Sequence, residues 1–459
     1  MAMDQAATKD SLLSLAIVGG GVAGVCLALG ILKHAPQIRL HIYEAAPRFQ
    51  EIGAGVAFGI NAQRALYNLD PRAGDAYHRI ASSNGNLDHH STVIDSSGRR
   101  RKQTYVRLVM GMDHRTNADY QAGAQVCEVF SPCGFSSVHR ARYLESMVAL
   151  LPDEVRQHCV SFDHRLVSVE DDARSDGTGI DLVFANGKRA SFDAVIGCDG
   201  IRSNLRKIVL ADEPTLSEPI FSGKYAYRGL IPMDQAAPAL GDRLARNAVH
   251  HVGYSGHVLT FPIDHGKTVN AVAFRAKLDG RWEDDQWVQQ TSKDEMLRDF
   301  ESWGANVKGI LSMMQTCDKW ALFEHPAAST YRRAGPGLAI EDAVVLSRLL
   351  GNVRRRGDVV HAFEQFESLR KDRTQRLVRC SREQGEIFDF ECEGIRDDVR
   401  KIAEVLPRRW DWIWDLIKIS QGSNDFVLAR HVPHNRQDKI GCVLCAWKRS
   451  CPRSTTVSP

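Results

Sequence analysis

The stretch Ser14-Leu-Ala-Ile-Val-Gly-Gly-Gly-Val-Ala-Gly24, followed by Arg39-Leu-His-Ile-Tyr-Glu44, decides the fold of this chain. The apolar run predicts a strand that enters a glycine turn, and the next residues predict a helix from Val22 to about Lys33. A second apolar strand then ends in an acid. Strand, turn, helix, strand and acid in this order predict a dinucleotide-binding βαβ unit.

Each glycine of this unit has a separate physical role. Gly19 permits the tight turn, Gly21 lets backbone amides approach a pyrophosphate at the helix N-terminus, and Gly24 allows the helix and strand to pack closely. Glu44 lies about 20 residues beyond the last glycine, where a carboxylate can accept the hydrogens of an adenosine ribose. Nucleotide binding is therefore the first functional prediction.

Residues 12–32 are almost free of charge, so the same segment could be taken for a signal peptide or a membrane span. A glycine cluster in its middle and the acid-ended strand behind it argue against both. Asp4, Lys9 and Asp10 also do not form a basic leader. We expect no membrane span.

Composition sets broad limits on the function. The 459 residues are enough for two or three structural units, and the net charge of +3 gives no nucleic-acid footprint. Eleven irregularly spaced cysteines are typical of reduced thiols rather than of a disulfide framework. We therefore expect a cytoplasmic protein that does not bind nucleic acid.

The pattern along the chain alternates between nucleotide-domain and β-rich segments. Strands are predicted at 105–109, 179–184, 189–197, 258–263 and 269–274, and a helix at 140–151. We predict a discontinuous nucleotide-binding domain (12–85, 136–210 and 320–355), an inserted β-rich substrate domain (86–135 and 211–319), C-terminal helices (356–416) and a disordered or atypical tail (417–459).

A second motif is Asp193-Ala-Val-Ile-Gly-Cys-Asp-Gly-Ile-Arg-Ser-Asn-Leu-Arg206. It predicts a strand that ends at Asp199-Gly200 and passes into a helix. Such a turn places Asp199 at the carboxyl edge of the sheet, where ligands of open α/β folds bind. Taken alone, it could also be an ordinary Asp-Gly turn.

Together the two motifs resemble the flavin-dependent aromatic hydroxylases, the group of para-hydroxybenzoate hydroxylase and salicylate hydroxylase. The resemblance is closest to fungal salicylate-hydroxylase-like monooxygenases and covers residues 14–415. It also extends through 51–61, Val138-His-Arg140, Tyr227-Arg-Gly-Leu-Ile-Pro232 and Ala339-Ile-Glu-Asp-Ala-Val-Val-Leu-Ser347. The implied fold is α/β, a Rossmann-like FAD-binding domain with an inserted β-rich substrate domain and C-terminal helices.

The resemblance implies FAD as the cofactor, with NAD(P)H and O2 as co-substrates and a small phenolic or polyketide-derived aromatic as the substrate. One nucleotide fingerprint fits this reaction, because NAD(P)H docks transiently in the family. An NAD-dependent dehydrogenase would leave the Asp-Gly and Tyr-Arg-Gly segments unexplained. The implied FAD-binding residues are Gly19, Gly21, Gly24, Glu44, Ala57, Arg140, Asp199, Gly200 and Pro336, although Arg140 could also be a surface arginine at a helix start.

Arg228 is the candidate for the group that stabilises a substrate phenolate, because a fixed guanidinium is a natural partner for that anion. The alternative is a surface strand arginine, and Tyr227 should point to the opposite face. Family relatives often carry a tyrosine where this chain has Phe261, so Tyr254 is the remaining catalytic candidate nearby. His250 and His251 are interpreted as ordinary strand residues.

The chain departs from the family before the Ala-Ile-Glu-Asp-Ala helix. Tyr331-Arg-Arg333 runs directly into Ala334-Gly-Pro-Gly-Leu-Ala339, and the Gly-Asp motif of the family is missing. The alternative function is therefore a flavin-binding or non-catalytic remnant of such an enzyme. The Glu341-Asp342 pair is interpreted as structural, with its charge at the start of a helix over 342–350.

The C-terminal tail does not resemble the family. It contains His431-x-x-His434 and Cys442-x-x-Cys445, which is a spacing known from zinc sites. The short linker between the pairs and the absence of finger-like hydrophobic spacing argue against a finger. We expect no metal.

Overall fold

The computed structural model describes residues 13–49, 55–85, 103–171, 179–277, 279–327 and 336–414. The strands are β1 (Ser14–Val18), β2 (Arg39–Tyr43), β3 (Gly55–Ala57), β4 (Ser82–Ser83), β5 (Gln103–Met110), β6 (Gln125–Ser131), β7 (Ser136–His139), β8 (Val160–Ser161), β9 (Leu166–Asp171), β10 (Ile180–Phe184), β11 (Arg189–Phe192), β12 (Ala194–Gly197), β13 (Ile220–Pro232), β14 (Val249–Gly253), β15 (Gly256–Ile263), β16 (Thr268–Ala276), β17 (Val288–Gln290) and β18 (Asp318–Glu324).

The helices lie mainly after each sheet segment and at the C-terminal end. They are α1 (Val22–His34), α2 (Ile60–Leu69), α3 (Pro71–Ile80), α4 (Arg140–Val148), α5 (Asp153–His158), α6 (Asn204–Val209), α7 (Pro214–Ser217), α8 (Met233–Leu240), α9 (Asp242–Ala245), α10 (Lys293–Asp299), α11 (Ala305–Met313), α12 (Pro336–Gly351), α13 (Asp358–Phe388), α14 (Val399–Val405) and α15 (Asp411–Trp414).

A parallel sheet in the order β12-β1-β2-β8 contains the predicted βαβ unit. Every residue of β1 is buried, as expected for a strand covered on both faces. Helix α1 follows directly and ends one residue beyond its predicted limit. Because parallel strands share one carboxyl edge, the ends of β1, β2 and β12 meet at the glycine turn.

The predicted strand over 189–197 is wrong as a single element. Residues of β11 pair antiparallel with β10, whereas those of β12 pair parallel with β1. Asp193 separates the two because its Oδ2 accepts hydrogen bonds from the backbone amide (2.7 Å) and the hydroxyl (2.8 Å) of Ser14. This buried carboxylate fixes the point at which the chain changes sheets.

A mixed sheet in the order β17-β18-β13-β16-β15-β14-β5-β6 forms the second large layer. It joins strands from 103–131 with strands from 220–324, in agreement with an inserted β-rich unit. One boundary needs correction: residues 320–324 belong to β18, which pairs with β13, and not to the nucleotide-binding sheet. The other predicted domain boundaries stay predictions.

Each face of this mixed sheet has its own apolar cover. Helices α8, α10 and α11 contribute to the core on one face, with Phe300, Trp303 and Met314 among its fully buried residues. The end of α13 and the segments behind it contribute to the core on the other face, which includes Phe261 and Phe388. The sheet is therefore a partition between two hydrophobic cores.

The Glu341-Asp342 pair is structural, but the predicted reason was wrong. Helix α12 begins at Pro336, so both acids lie inside it and not at its first turn. Glu341 is buried, accepts a hydrogen bond from Asn61 over 2.9 Å, and forms ion pairs with Arg370 (2.7 Å) and Arg373 (2.9 Å). Asp342 also binds Arg370. Burial opposes ionisation of Glu341, but the arginines outweigh it and lower its pKa.

Among the described helices, none is both long enough and apolar enough to cross a membrane. The described residues likewise contain no cluster of His, Cys, Asp and Glu suited to a metal ion. The His and Cys pairs of the tail lie outside the described residues, as do Glu51–Ala54 and Tyr331–Gly335.

Candidate active site

The glycine turn after β1 has the crowding that its sequence predicts. Gly19 has φ +110°, a left-handed conformation that favours glycine, and a Cβ there would lie 2.3 Å from the carbonyl oxygen of Cys198. A Cβ on Gly24 would lie 1.9 Å from the carbonyl oxygen of Gly19. The turn thus leaves backbone, and no side chain, at the start of α1.

Glu44 closes this turn from the end of β2. Its Oε2 accepts a hydrogen bond from the amide of Gly20 over 2.6 Å, and its Oε1 accepts one from the amide of Ala46 over 2.7 Å. Each carboxylate oxygen can accept more than one hydrogen bond, so capacity for a ribose hydroxyl remains. The acid therefore has two functions: it orders the turn and presents acceptors beside it.

The Asp199-Gly200 turn follows β12 on the same edge of the sheet. Gly200 has φ +75°, while Asp199 accepts hydrogen bonds from the hydroxyl of Ser203 (2.5 Å) and the amide of Leu205 (3.2 Å). Ser203 in turn caps α6. Burial, followed by the charge of Asp199, raises the pKa of the neighbouring Cys198 thiol, which keeps it protonated.

A cavity of about 370 Å³ lies between these turns. Six of the predicted FAD-binding residues line it: Gly19, Gly21, Glu44, Arg140, Asp199 and Gly200. Gly24 packs behind the turn, and Ala57, Arg228 and Tyr254 are not among the lining residues. The sequence motifs therefore meet in one place, although they are distant along the chain.

The cavity also has lining residues that the sequence did not reveal, including His164, Arg165, Arg202, Asn204 and Ala339. Arg202 and Asn204 lie within the Asp-Gly motif and Ala339 lies in the Ala-Ile-Glu-Asp-Ala segment, which were the available signals. Its guanidinium lies 4.0 Å above the ring centroid of Trp287. With Arg140, the cavity has three arginines against the carboxylates of Glu44 and Asp199, a balance that suits an anionic pyrophosphate.

Pairing of β3 with β7 brings two other predicted segments together. Gly55 lies opposite His139, the residue before Arg140, and Ala57 lies opposite Ser137. A Cβ on Gly55 would lie 2.8 Å from the ring of Phe261 on β15. The glycine-rich strand that the resemblance places against the cofactor therefore contacts the mixed sheet. Pro336 is the first residue of α12, whose Ala339 reaches the cavity.

Arg228 and Tyr227 have the opposite orientations that a regular strand predicts. Tyr227 is fully buried, and its hydroxyl donates to Asp299 over 2.6 Å. The Arg228 guanidinium lies 4.9 Å above Trp320, and its buried Nε has no hydrogen-bond partner among the described residues. Burial and then the charge of Arg140 lower the pKa of Arg228, so the two arginines are electrostatic neighbours.

Tyr254 lies in the hairpin tip between β14 and β15, whereas Phe261 lies near the other end of β15. Its hydroxyl donates to Asp397 over 2.8 Å and accepts from the amide of Arg115 over 3.2 Å. Burial and Asp397 are among the causes that raise its pKa. Its catalytic role stays a prediction. His250 and His251 lie within β14, as interpreted from sequence.

A crowded glycine turn, an acid that closes it and an arginine-lined cavity at the carboxyl edge of a parallel sheet define a dinucleotide-binding α/β protein. Comparison with known proteins gives the particular family. The chain is 34% identical over 430 residues to 6-methylsalicylate 1-monooxygenase atA of Aspergillus terreus, which covers 89% of this chain and 90% of the relative. It is 32% identical over 442 residues to a salicylate hydroxylase of Pseudomonas putida, which covers 90% and 94%.

Solved structures agree with these relatives. A salicylate hydroxylase substrate complex superposes with a TM-score of 0.73 and 28% identity over 88% of this chain and 96% of that one. Klebsiella pneumoniae HpxO, complexed with FAD and uric acid, has a TM-score of 0.64 at 20% identity over 88% and 95%, a likeness that concerns the fold alone. No family model matches the chain.

The chain belongs to the FAD-dependent monooxygenases, in the family of aromatic hydroxylases that includes salicylate hydroxylase. Its fold is therefore the Rossmann-like FAD-binding fold with an inserted β-rich unit that the resemblance implied, and FAD is its cofactor. The residues present fit FAD, because the positions where a Cβ would collide with backbone, Gly19 and Gly24, form the turn that approaches a pyrophosphate.

Proposed function

We propose that this monooxygenase hydroxylates a small phenolic or polyketide-derived aromatic, with NAD(P)H as the electron donor. The observation that carries the proposal is Arg228, whose buried Nε has no hydrogen-bond partner within the described part of the chain and which lies near Arg140. When bound, FAD supplies the acceptance of electrons from NAD(P)H and the activation of O2. The names of the relatives atA and salicylate hydroxylase support a phenolic substrate.

The chemistry assigned to Arg228 is to hold the substrate as a phenolate. Burial and a neighbouring positive charge make its cationic form costly, and an anion bound between Arg228 and Arg140 would relieve that cost. The same attraction lowers the pKa of a bound phenol, so the proton leaves more readily. A phenolate makes the adjacent ring carbons electron-rich, which is what an electrophilic oxygen donor requires.

The second proposed role of the sheet face that holds Arg228 is to exclude water. Leu230, Val272 and Phe261 surround the Arg228 position across three adjacent strands, and Phe135 packs against Phe261 with ring centroids 5.5 Å apart. An apolar wall of this kind protects a reactive oxygen donor from water and strengthens the attraction between Arg228 and an anion.

The FAD-binding residues are proposed in the roles that the family implies. Gly19, Gly21 and Glu44 would bind the adenosine half, with Gly24 behind them to keep α1 against the turn. Arg140 and the turn of Asp199 and Gly200 would contact FAD beyond its adenosine half. The backbones at Ala57 and Pro336 would approach it. Six of these nine residues already line one cavity.

The test is a titration of purified protein with FAD, followed by NAD(P)H oxidation in the presence and absence of phenols. We expect a yellow protein whose NAD(P)H oxidation is accelerated by a phenol and yields a hydroxylated ring. Arg228→Ala should retain FAD and lose roughly 10- to 100-fold in phenol affinity, as expected for a hydrogen bond to a charged group. The control is Arg189→Ala on β11, an exposed strand arginine paired with Glu170.

The alternative of a flavin-binding or non-catalytic remnant predicts a different result. Such a chain would stay colourless, or would bind FAD without any phenol-dependent NAD(P)H oxidation. Either result would contradict the proposed function.

The cytoplasmic location stays a prediction.

A further inference from the structure

Arg202 of the Asp-Gly segment lines the cofactor cavity, but its side chain rests on a residue beside the mixed sheet. The guanidinium lies 4.0 Å from the ring centroid of Trp287, the residue immediately before β17. Arginine stacks on tryptophan through dispersion and through the attraction of its charge to the ring face. An aromatic ring outside the cavity lining therefore supports an arginine inside it.

Trp287 is itself held in place. Its ring stacks on Phe323 of β18, with centroids 3.8 Å apart and planes 12° from parallel. Two groups this close to one ring must lie on opposite faces, so Trp287 is sandwiched between Arg202 and Phe323. Its carbonyl oxygen also accepts a hydrogen bond from the amide of Ala321 over 2.8 Å. The indole is thus a fixed platform for the arginine.

The backbone on either side of Arg202 has separate ties to the end of β18. Nε2 of His325 donates a hydrogen bond to the carbonyl of Ile201 over 3.0 Å. Nη2 of Arg206 donates one to the carbonyl of Pro326 over 3.4 Å. These bonds hold the path of the chain, which leaves the direction of the Arg202 guanidinium to its contact with the indole.

The donors of the Arg202 guanidinium are available to a ligand. Arg202 is exposed and, within the described part of the chain, makes no hydrogen bond or ion pair. An arginine that stacks through its face keeps its N–H groups in the plane of the guanidinium, where they can bind two oxygens of one anion. The same cavity is lined by Gly19 and Gly21 at the start of α1, where backbone amides favour a phosphate. An arginine and a helix start on one cavity suit a diphosphate.

We propose that Trp287 is a positioning residue for cofactor binding: it holds the Arg202 guanidinium so that its N–H groups bind a diphosphate in the cavity. FAD and NAD(P)H both carry this group. The inference rests on the proposed function, which places FAD in this cavity. It adds to the cofactor-binding residues one that lies at the edge of the mixed sheet.

The experiment compares two substitutions of Trp287 that both keep apolar bulk on Phe323. Trp287→Phe retains an aromatic face for Arg202, whereas Trp287→Leu removes it. We expect Trp287→Leu to weaken diphosphate binding roughly 3- to 10-fold and Trp287→Phe to stay within about 2-fold of the wild type. Arg202→Ala should weaken binding roughly 10- to 100-fold, because it removes hydrogen bonds to a charged group.

Two measurements distinguish the two sources of the diphosphate. Quenching of flavin fluorescence during titration gives the dissociation constant of FAD. The KM for NAD(P)H is measured on FAD-saturated protein with 2-hydroxybenzoate present. A change in the dissociation constant assigns Arg202 to the diphosphate of FAD, and a change in KM alone assigns it to that of NAD(P)H. Either result, with the expected order of the variants, supports the role of Trp287.

A double variant tests whether Trp287 acts through Arg202. If it does, Arg202→Ala combined with Trp287→Leu binds no more weakly than Arg202→Ala alone. The matched control is Trp412→Leu, because Arg376 lies 4.3 Å from the ring centroid of Trp412 and neither residue lines the cavity. This control should leave both constants unchanged. Thermal unfolding without FAD shows that each variant is folded.

Wild-type values of both constants in Trp287→Leu, or equal weakening in Trp287→Phe and Trp287→Leu, would overturn the role of Trp287. Independent effects of Arg202→Ala and Trp287→Leu in the double variant would also overturn it. All three results leave the proposed function standing. A wild-type protein that takes up no FAD would overturn the proposed function itself.

Discussion

The carboxylate of Glu44 binds the backbone amide of Gly20 over 2.6 Å and thereby ties the end of β2 to the glycine turn after β1. The same carboxylate binds the amide of Ala46 through its other oxygen. One side chain thus holds the shape of the turn and offers the acceptors that a ribose requires, so its loss should affect the cofactor more than the fold.

Glu44→Ala should weaken FAD binding by roughly 10- to 100-fold, because hydrogen bonds to a charged acceptor are worth about 1.5 to 3 kcal/mol each. Quenching of flavin fluorescence during titration measures the dissociation constant. Glu170→Ala is the control, since that carboxylate is half-exposed on β9 and pairs only at the surface with Arg189. Equal FAD affinity in the two variants would contradict the role of Glu44.

Gly24→Ala tests the close packing of α1 on the turn. The new Cβ would lie 1.9 Å from the carbonyl oxygen of Gly19, so the helix must move. We expect a loss of stability of about 3 kcal/mol, which is the upper end of the usual range for overpacking. FAD binding should also become weaker. Thermal unfolding with and without FAD measures both.

Gly357→Ala is the matched control for this substitution. Gly357 precedes α13 with φ −61°, and nothing lies within 4 Å of a Cβ built there. An alanine at such a position should be neutral or slightly stabilising, by about 0.4 to 1 kcal/mol. If Gly24→Ala unfolds at the same temperature as this control, the packing argument is wrong.

The sequence predicted those site residues that belong to short local motifs. Gly19, Gly21, Glu44, Asp199 and Gly200 belong to two short motifs, and the carboxyl edge of a parallel sheet brings those motifs together. Other features depend on long-range pairing and were missed. Asp193 divides the predicted strand over 189–197 into two strands, and its partner Ser14 lies 179 residues earlier in the chain.

The structural role predicted for the Glu341-Asp342 pair was right, but the predicted cause, the helix dipole, was wrong. Acids near an apparent helix start suggest a dipole effect, whereas the ion pairs with Arg370 and Arg373 come from a helix about thirty residues later in the chain. Nothing in the local sequence specifies those partners.

Asp389 gives a prediction for the pH dependence of stability. Its side chain is fully buried between His257, at 2.6 Å, and Lys224. Burial alone would raise its pKa, but these two partners outweigh burial and hold the pKa below its usual range. A depressed carboxyl pKa contributes stability above the unfolded-state value, near about 3.9, and loses it as the pH falls through the lower folded value.

We therefore expect Asp389→Asn to lower the free energy of unfolding at pH 7. Below about pH 4 the variant should lose less of that free energy than the wild type as the pH falls. Lys224 has a raised pKa, so its contribution is complete below the unfolded value and is lost only at strongly alkaline pH. Denaturant unfolding at a series of pH values measures both. Parallel stability curves for the variant and the wild type would show that Asp389 is not linked to acid unfolding.

Tyr254→Phe separates a structural role from a catalytic one. Because the Tyr254 hydroxyl donates to Asp397, we expect its removal to cost about 0.5 to 1.5 kcal/mol of stability. A purely structural role predicts that the kcat of phenol-dependent NAD(P)H oxidation stays close to that of the wild type. A large fall in kcat at unchanged stability would instead make Tyr254 a catalytic residue.

The most direct test of the proposed hydroxylation is to trace an oxygen atom from O2 into the aromatic product. The FAD-loaded chain is given NAD(P)H, 2-hydroxybenzoate and isotopically labelled O2, and the products are analysed by mass spectrometry. We predict a more hydroxylated aromatic product that carries one labelled oxygen atom from O2, formed by the wild type and strongly reduced in Arg228→Ala. Consumption of NAD(P)H without any labelled aromatic product, or a chain that cannot take up FAD, would contradict the account.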